Sequence, residues 1–259
     1  MLLTLDVGNT HIVVGLFNGP TLTAHWRLTT DRNRTSDELR LDIRNLLGEA
    51  NADGTRIRGI AVSSVVPSLN QPLLAGLGAF SDAPVRFLSP SRSPIPLHVE
   101  DPRSVGADRI ANCIAAHDLV NGPALVIDFG TAVTFDLVSE DGAFEGGAIA
   151  PAMRLAATAL TNRAAQLHAV TLDVPPSIIG KTTETNLQAG IVLGFLDLVD
   201  GLIRRFRREV GQELTVIATG GRGKLFAERL DLIEMYVPFL TVEGLRLWWE
   251  KTADSGSFR

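Results

Sequence analysis

The sequence predicts a duplicated α/β fold in two halves, 1–118 and 119–259. Three observations carry that expectation. The opening LTLDVGNTHIVVGLFNG and the central LVIDFGTAVTFDLVSEDG share a strand, an Asp-x-Gly and a second strand. Asp6 aligns with Asp128 and Gly8 with Gly130 at a constant offset of 122 (128 − 6 and 130 − 8), ungapped from Leu3/Leu125 to Asn18/Glu140. Further on, RGIAVSS (58–64) and LTVIATG (214–220) are both apolar strands ending in small polar residues. Two strand-rich halves that open alike imply one α/β unit copied once.

Taken in order, residues 2–7 and 11–17 are apolar or β-branched around a Gly-Asn-Thr turn, which reads as a hairpin, with a third strand at 22–28. Thr35 and Glu38 form a capping box for a helix whose inner face is Leu39, Ile43, Leu46 and Leu47. IRGIAVSSVVPSL reads as a buried strand, and a helix starts near Gly106 with Ile110, Ile114 and Ala115 facing a core. The second half offers strands at 124–129, 132–138 and 144–150 and helices at 153–167 and 185–209. A strand in LTVIATGG, a short helix in RGKLFAERL and a final helix at 241–252 follow; TADSGSFR is a frayed tail.

A 45% hydrophobic and 20% charged composition is that of a folded chain, and a net charge of −5 gives no support for nucleic-acid or anionic-membrane binding. Cys113 is the only cysteine, which excludes an intrachain disulfide and a multi-cysteine zinc site. His11, His25, His98, His117 and His168 lack the spacing of a metal site. MLLTLDVG has no basic region, and Asp197 and Asp200 interrupt GIVLGFL, so no signal peptide or transmembrane segment is expected. The expected setting is the cytoplasm.

Gly8 and Gly130 allow tight turns that expose amide N–H groups, and Asn9, Thr10, Thr131 and Thr134 add neutral donors suited to phosphate oxygens. Asp6 and Asp128 stand at strand ends, where a carboxylate can hold a cation or its waters. Each hairpin alone is an ordinary Asx-Gly turn; two copies in register point to polyphosphate. Asp108 lies in the first turn of its helix, a position that also suits simple capping. GGAIAP and TGGRG place glycine pairs at strand ends. IIGKTT is not a Walker A loop, because Pro175 stands five before Gly180. The pair Trp248 and Trp249 suits either an interface or a buried core.

DVGNT, TDRNRTSDE, SSVVP, VGADRIAN, DFGTAVTFD, GGAIAP, IGKTT, QAGIVLGF, ATGG and PFLTVEGLR occur here in the order seen in type III pantothenate kinases, which the chain resembles over nearly its whole length. That family belongs with acetate and sugar kinases, heat-shock chaperones and actin. The resemblance implies two ribonuclease-H-like domains around a central nucleotide cleft, walled by the two Asp-x-Gly hairpins. It implies ATP-dependent phosphorylation of pantothenate to 4′-phosphopantothenate, the first step of coenzyme A biosynthesis. It also implies a homodimer, magnesium with the ATP, and a monovalent cation, K+ or NH4+.

By the same resemblance Asp6, Val7, Gly8, Asn9, Thr10, His11, Ile12 and Val13 form a phosphate loop, and Thr131 contacts ATP. Gly106, Ala107, Asp108 and Arg109 line the pantothenate site with Val99 and Thr183; Asp108 is the general base and Asp128 the monovalent-cation ligand. The chain departs from the family at Val99, where many members carry tyrosine, at the loop SPSRSPIP, and at Val133 and Ala152, where threonine and glycine are commoner. These departures touch the acceptor region, and they motivate an alternative reading as a non-catalytic nucleotide-binding regulator. A kinase acting on a sugar or short acid is a third reading, against which the GADR segment stands.

Overall fold

The computed structural model describes residues 1–120, 122–163, 168 and 170–253, which form two compact units. The first contains Met1–Leu119, Gly142–Glu145 and the segment from Phe239; the second contains Val120–Asp141 and Gly146–Pro238.

In the first unit β1 (Leu2–Val7), β2 (His11–Asn18), β3 (Thr21–Thr29), β4 (Gly59–Ser64) and β5 (Val85–Phe87) form one sheet in the order β3-β2-β1-β4-β5. β1, β2 and β3 are antiparallel, whereas β4 and β5 run parallel to β1. The side-chain period of two assigns each face. Leu3, Leu5, Val7, Ile12, Val14, Leu16, Ile60 and Val62 pack with α1 (Ser36–Glu49) and α2 (Pro67–Phe80) through Leu39, Ile43, Leu47, Leu69, Leu73 and Leu77. Thr4, Asp6, Gly59, Ala61 and Ser63 therefore point to the other face. α3 (Ala107–Val120) follows, with Ile110 to Ala116 all buried.

In the second sheet β6 (Ala124–Phe129), β7 (Ala132–Val138), β8 (Phe144–Pro151), β9 (Thr215–Thr219) and β10 (Met235–Tyr236) are ordered β10-β9-β6-β7-β8, and all but Phe144 and Glu145 belong to the second unit. Its helices are α4 (Met153–Arg163), α5 (Thr183–Gln188), α6 (Gly194–Val210) and α7 (Gly223–Ala227), with a π turn at Ala189–Leu193 joining α5 to α6. Leu125, Ile127, Phe135 and Val216 meet Val192, Phe195, Val199 and Ile203 in its core. The final helix, α8 (Leu240–Ala253), belongs to the first unit. Its Trp248 is a fully buried core residue there, whereas Trp249 is half-buried and lies on Gly59, with the Arg86 guanidinium over its ring.

The duplication holds strand for strand: β1 to β5 correspond to β6 to β10 in the same spatial order. The ungapped match does not hold through the turn. Val7 pairs with Ile12 across the first hairpin, but Phe129 pairs with Val133 across the second, so the second turn is one residue shorter. Asp6 therefore faces Val13 and Asp128 faces Thr134.

Other expectations are revised. The helix expected at 185–209 contains the π turn. Its whole stretch Thr183–Val210 is long and apolar enough to cross a membrane, contrary to the expectation from Asp197 and Asp200. Its apolar face is nevertheless occupied by the unit's own core at Val192, Phe195, Val199 and Ile203. GGAIAP is not a strand end but the body of β8, with Gly146 at φ +103°. The helix expected at 153–167 is helical to Arg163; 164–167 and the tail beyond 253 lie outside the described residues. α2 was missed although Pro67 at its first turn and Leu69, Leu73 and Leu77 are helix signals.

The capping box at α1 is formed as the sequence predicts: the Glu38 N–H donates to Thr35 Oγ1 at 3.3 Å, and Glu38 Oε2 accepts the Thr35 N–H at 2.8 Å. Thr35→Ala is expected to cost about 1 kcal/mol of stability in urea unfolding; no change would mean that packing alone holds the α1 terminus.

Candidate active site

The parallel pairing of β1 with β4 sets Asp6 beside Ser63, whose hydroxyl donates to Asp6 Oδ1 at 3.1 Å. Beyond Asp6 the chain turns through Gly8–Thr10. The turn is closed by the Gly8 N–H donating to His11 O at 3.0 Å. The end of β3 braces it: Thr30 Oγ1 donates to Gly8 O at 2.7 Å, the Thr30 N–H to Thr10 O at 3.0 Å, and Arg32 to Asn9 Oδ1 at 2.9 Å. Asn9, Thr10 and His11 are exposed, so their side chains and amides can meet a ligand. Val7 and Ile12 are buried in the core, which leaves them only a backbone role.

The Val65 N–H donates to Val7 O at 3.0 Å, tying the end of β1 to the loop after β4. A Cβ on Gly106 would lie 3.7 Å from Val65 Cγ1, so the GADR segment packs on that loop. Gly106 O accepts the Ile110 N–H at 3.2 Å and opens α3. Asp108 follows in the first turn, half-buried, with Oδ1 accepting the Arg109 N–H at 2.8 Å. No other described residue donates to Oδ2. Burial pushes the Asp108 carboxyl above its ordinary value, outweighing the Arg109 N–H and the nearby Arg109 charge. A side chain on Gly106 would collide with Asp108 Oδ1, so this glycine makes room for the carboxylate.

Arg109 lays its guanidinium 5.0 Å from the centroid of the buried Phe144 ring. Phe144 also holds the loop 89–102: its N–H donates to Pro96 O and its carbonyl accepts the His98 N–H, both at 2.9 Å. His98 Nδ1 is 2.8 Å from Glu145 Oε1. Val99, half-buried, follows this anchor directly. Phe144 thus joins Arg109 to the loop bearing Val99, a role its isolated position in the sequence did not reveal.

In the second unit Asp128 sits at the end of β6, opposite Thr134 and beside Thr219 of β9. Gly220, at φ +82°, closes over it; a Cβ there would lie 2.5 Å from Asp128 Oδ1 and 2.8 Å from Phe129 backbone. Tyr236 donates to Gly220 O at 3.3 Å. In the TGGRG segment Gly220 thus packs on the chain's own Asp128 and Phe129 and takes a positive φ that favours glycine. Thr131 is exposed on the shortened turn. Thr183 is the exposed first residue of α5, whose cap is a reciprocal pair: Thr185 N–H to Thr182 Oγ1 at 3.1 Å and Thr182 N–H to Thr185 Oγ1 at 3.0 Å. IGKTT is a helix cap.

Asp6, Ser63, the amide loop and the GADR turn are thus brought together in the first unit, while Asp128, Thr131 and Thr183 belong to the second. Among the described residues no three His, Cys, Asp or Glu side chains cluster as a metal cage.

A family model described as type III pantothenate kinase matches residues 2–205. The chain belongs to the type III pantothenate kinase family. It is 44% identical over 264 residues to the type III pantothenate kinase of Moorella thermoacetica, covering 97% of this chain and 99% of that one. It is 46% identical over 253 residues to that of Frankia alni, with the same coverage. Among solved structures, a Campylobacter jejuni protein assigned to the Baf family of transcriptional activators superposes with TM-score 0.62 at 19% identity, covering 97% and 99% of the two chains. The ROK hexokinase of Thermus thermophilus does so with TM-score 0.53 at 14% identity, covering 98% and 99%. These two likenesses establish the fold alone, an α/β architecture shared with a sugar kinase. As a member of a pantothenate kinase family the chain is a transferase.

Gly106→Ala should displace the Asp108 carboxylate and lower steady-state kinase turnover by about 10²-fold, the scale of a 1 Å misplacement; near-parental turnover would contradict the crowding. A second expectation concerns pH. Because burial raises the folded pKa of Asp108, the folded protein retains a proton that the unfolded chain has released, so stability falls as pH rises through that window. Asp108→Asn is therefore expected to melt above the parent at pH 7, the gain shrinking as pH falls toward the ordinary carboxylate value of 3.8. A variant melting below the parent at pH 7 would show that the carboxylate stabilises the fold instead.

Proposed function

We propose that this chain transfers the γ-phosphoryl group of ATP to the primary hydroxyl of pantothenate, giving 4′-phosphopantothenate and ADP, the first step of coenzyme A biosynthesis. The observation that carries the reading is the Asp108 carboxyl, held above its ordinary pKa at the mouth of α3 with Oδ2 unclaimed by another described residue. A carboxylate so placed is a stronger base than one in water. As the hydroxyl oxygen bonds to the γ-phosphorus, its proton passes to Asp108 and the bond from the γ-phosphorus to the bridging oxygen breaks toward ADP.

The rest of the site needs only to position groups and balance charge. The amides and side chains of Asp6–Val13 bind phosphate oxygens, with Thr131 as a further nucleotide contact. Asp6 is the carboxylate that would hold the waters of a magnesium ion; the ion neutralises phosphate charge when bound. Gly106, Ala107, Arg109, Val99 and Thr183 line the acceptor site, and Arg109 offers positive charge. Asp128 holds K+ or NH4+. The assembly is a homodimer in the cytoplasm. A non-catalytic regulator has no use for a carboxyl kept at the cost of desolvation, which weighs against that alternative.

The test is ADP release by purified protein with magnesium-ATP, with and without pantothenate, in potassium and in sodium. Pantothenate-dependent release that is faster in potassium, an advantage lost in Asp128→Asn, is the expected result. Nucleotide binding without pantothenate-dependent ADP in either salt would overturn the kinase reading.

A further inference from the structure

The helix that carries Asp108 is gripped by α8, which lies wholly beyond the residues matched by the family model. Two contacts fix α3 against α8. Gly244 lies directly on the backbone of Ala111, where any Cβ would collide with the Ala111 carbonyl. One turn earlier in α8, Thr241 Oγ1 donates to Asn112 Oδ1 at 2.8 Å, and Asn112 is fully buried. Ala111 and Asn112 stand three and four residues after Asp108, on the stripe of α3 that runs beneath the carboxylate. The glycine sets how closely the two helices approach, and the buried hydrogen bond sets their rotation.

α8 is in turn fixed to the sheet that bears the phosphate loop. Trp249 lies on Gly59 of β4, and the Arg246 guanidinium, bound to Glu243 at 3.0 Å and Glu250 at 2.7 Å, sits 5.8 Å from the Phe17 ring centroid of β2. Both are on the face to which Asp6 and Ser63 point. One helix therefore references both the loop Asp6–Val13 and the carboxylate of Asp108 to the same strands.

We infer that α8 sets the position of the catalytic aspartate, with Thr241 and Gly244 as positioning residues of the reaction. The inference rests on the reading of Asp108 as the base. Phosphoryl transfer requires the acceptor oxygen, its base and the phosphate to stay in register, and about 1 Å of error costs about 10²-fold in rate. A helix free to rotate by a fraction of a turn would lose that register while the protein stayed folded.

Thr241→Val keeps the shape and removes the hydroxyl. In the full chain it is expected to lower kcat for pantothenate phosphorylation about tenfold with KM for ATP unchanged, and Thr241→Ser is expected to restore the rate. Amide hydrogen exchange at Ile110, Ala111 and Asn112 should quicken in Thr241→Val and return to the parental rate in Thr241→Ser. An unchanged kcat, a serine variant as slow as the valine one, or a rate loss matched by loss of folded protein would overturn the inference. Should the parent itself show no pantothenate-dependent turnover, the kinase reading fails, and the exchange rates still decide the positioning claim: unchanged exchange refutes it.

Discussion

The parallel pairing of β1 with β4 is the constraint on which the first unit's site depends. Parallel strands end at the same edge of the sheet, and the groups that follow each strand gather there. This pairing puts Ser63 on Asp6 and the Val65 N–H on Val7 O, so the amide loop after β1 and the chain after β4 share one corner. Gly106 then seats the start of α3 on Val65 and delivers Asp108 to that corner. β6 and β9 repeat the device in the second unit, where Asp128 meets Thr219 and Gly220 closes over its carboxylate.

Two carboxylates of the first unit occupy unlike surroundings, and the roles proposed for them differ accordingly. Asp6 accepts a hydroxyl beside a turn rich in exposed polar groups. Asp108 is pressed into the protein with one oxygen on a backbone N–H, and desolvation raises its affinity for a proton. A raised proton affinity is what the proposed proton transfer asks of Asp108.

Much of this organisation is legible in the sequence because it is written in local chemistry. The alternation of Leu3, Leu5 and Val7 marks a strand, Asp6 and Gly8 mark its end, and Thr35 with Glu38 marks a helix start. What escaped depends on contacts distant along the chain. The second hairpin is one residue shorter, yet the matched Asp and Gly both come before the missing residue, so the ungapped alignment hides the deletion. Gly244 reads as a weak spot in a helix until Ala111 is seen against it, 133 residues away (244 − 111). Phe144 reads as an apolar residue after a loop, whereas it joins Arg109 to the segment bearing Val99. The two residues of β10 are too few for any periodicity.

The proposed reaction turns on Asp108 as the acceptor of the pantothenate hydroxyl proton. The most direct measurement is turnover of Asp108→Asn beside its nucleotide affinity, since asparagine keeps the shape and the bond to the Arg109 N–H but takes no proton. Loss of at least 10²-fold in kcat with nucleotide affinity retained is the predicted result. A variant that phosphorylates pantothenate at nearly the parental rate would contradict it.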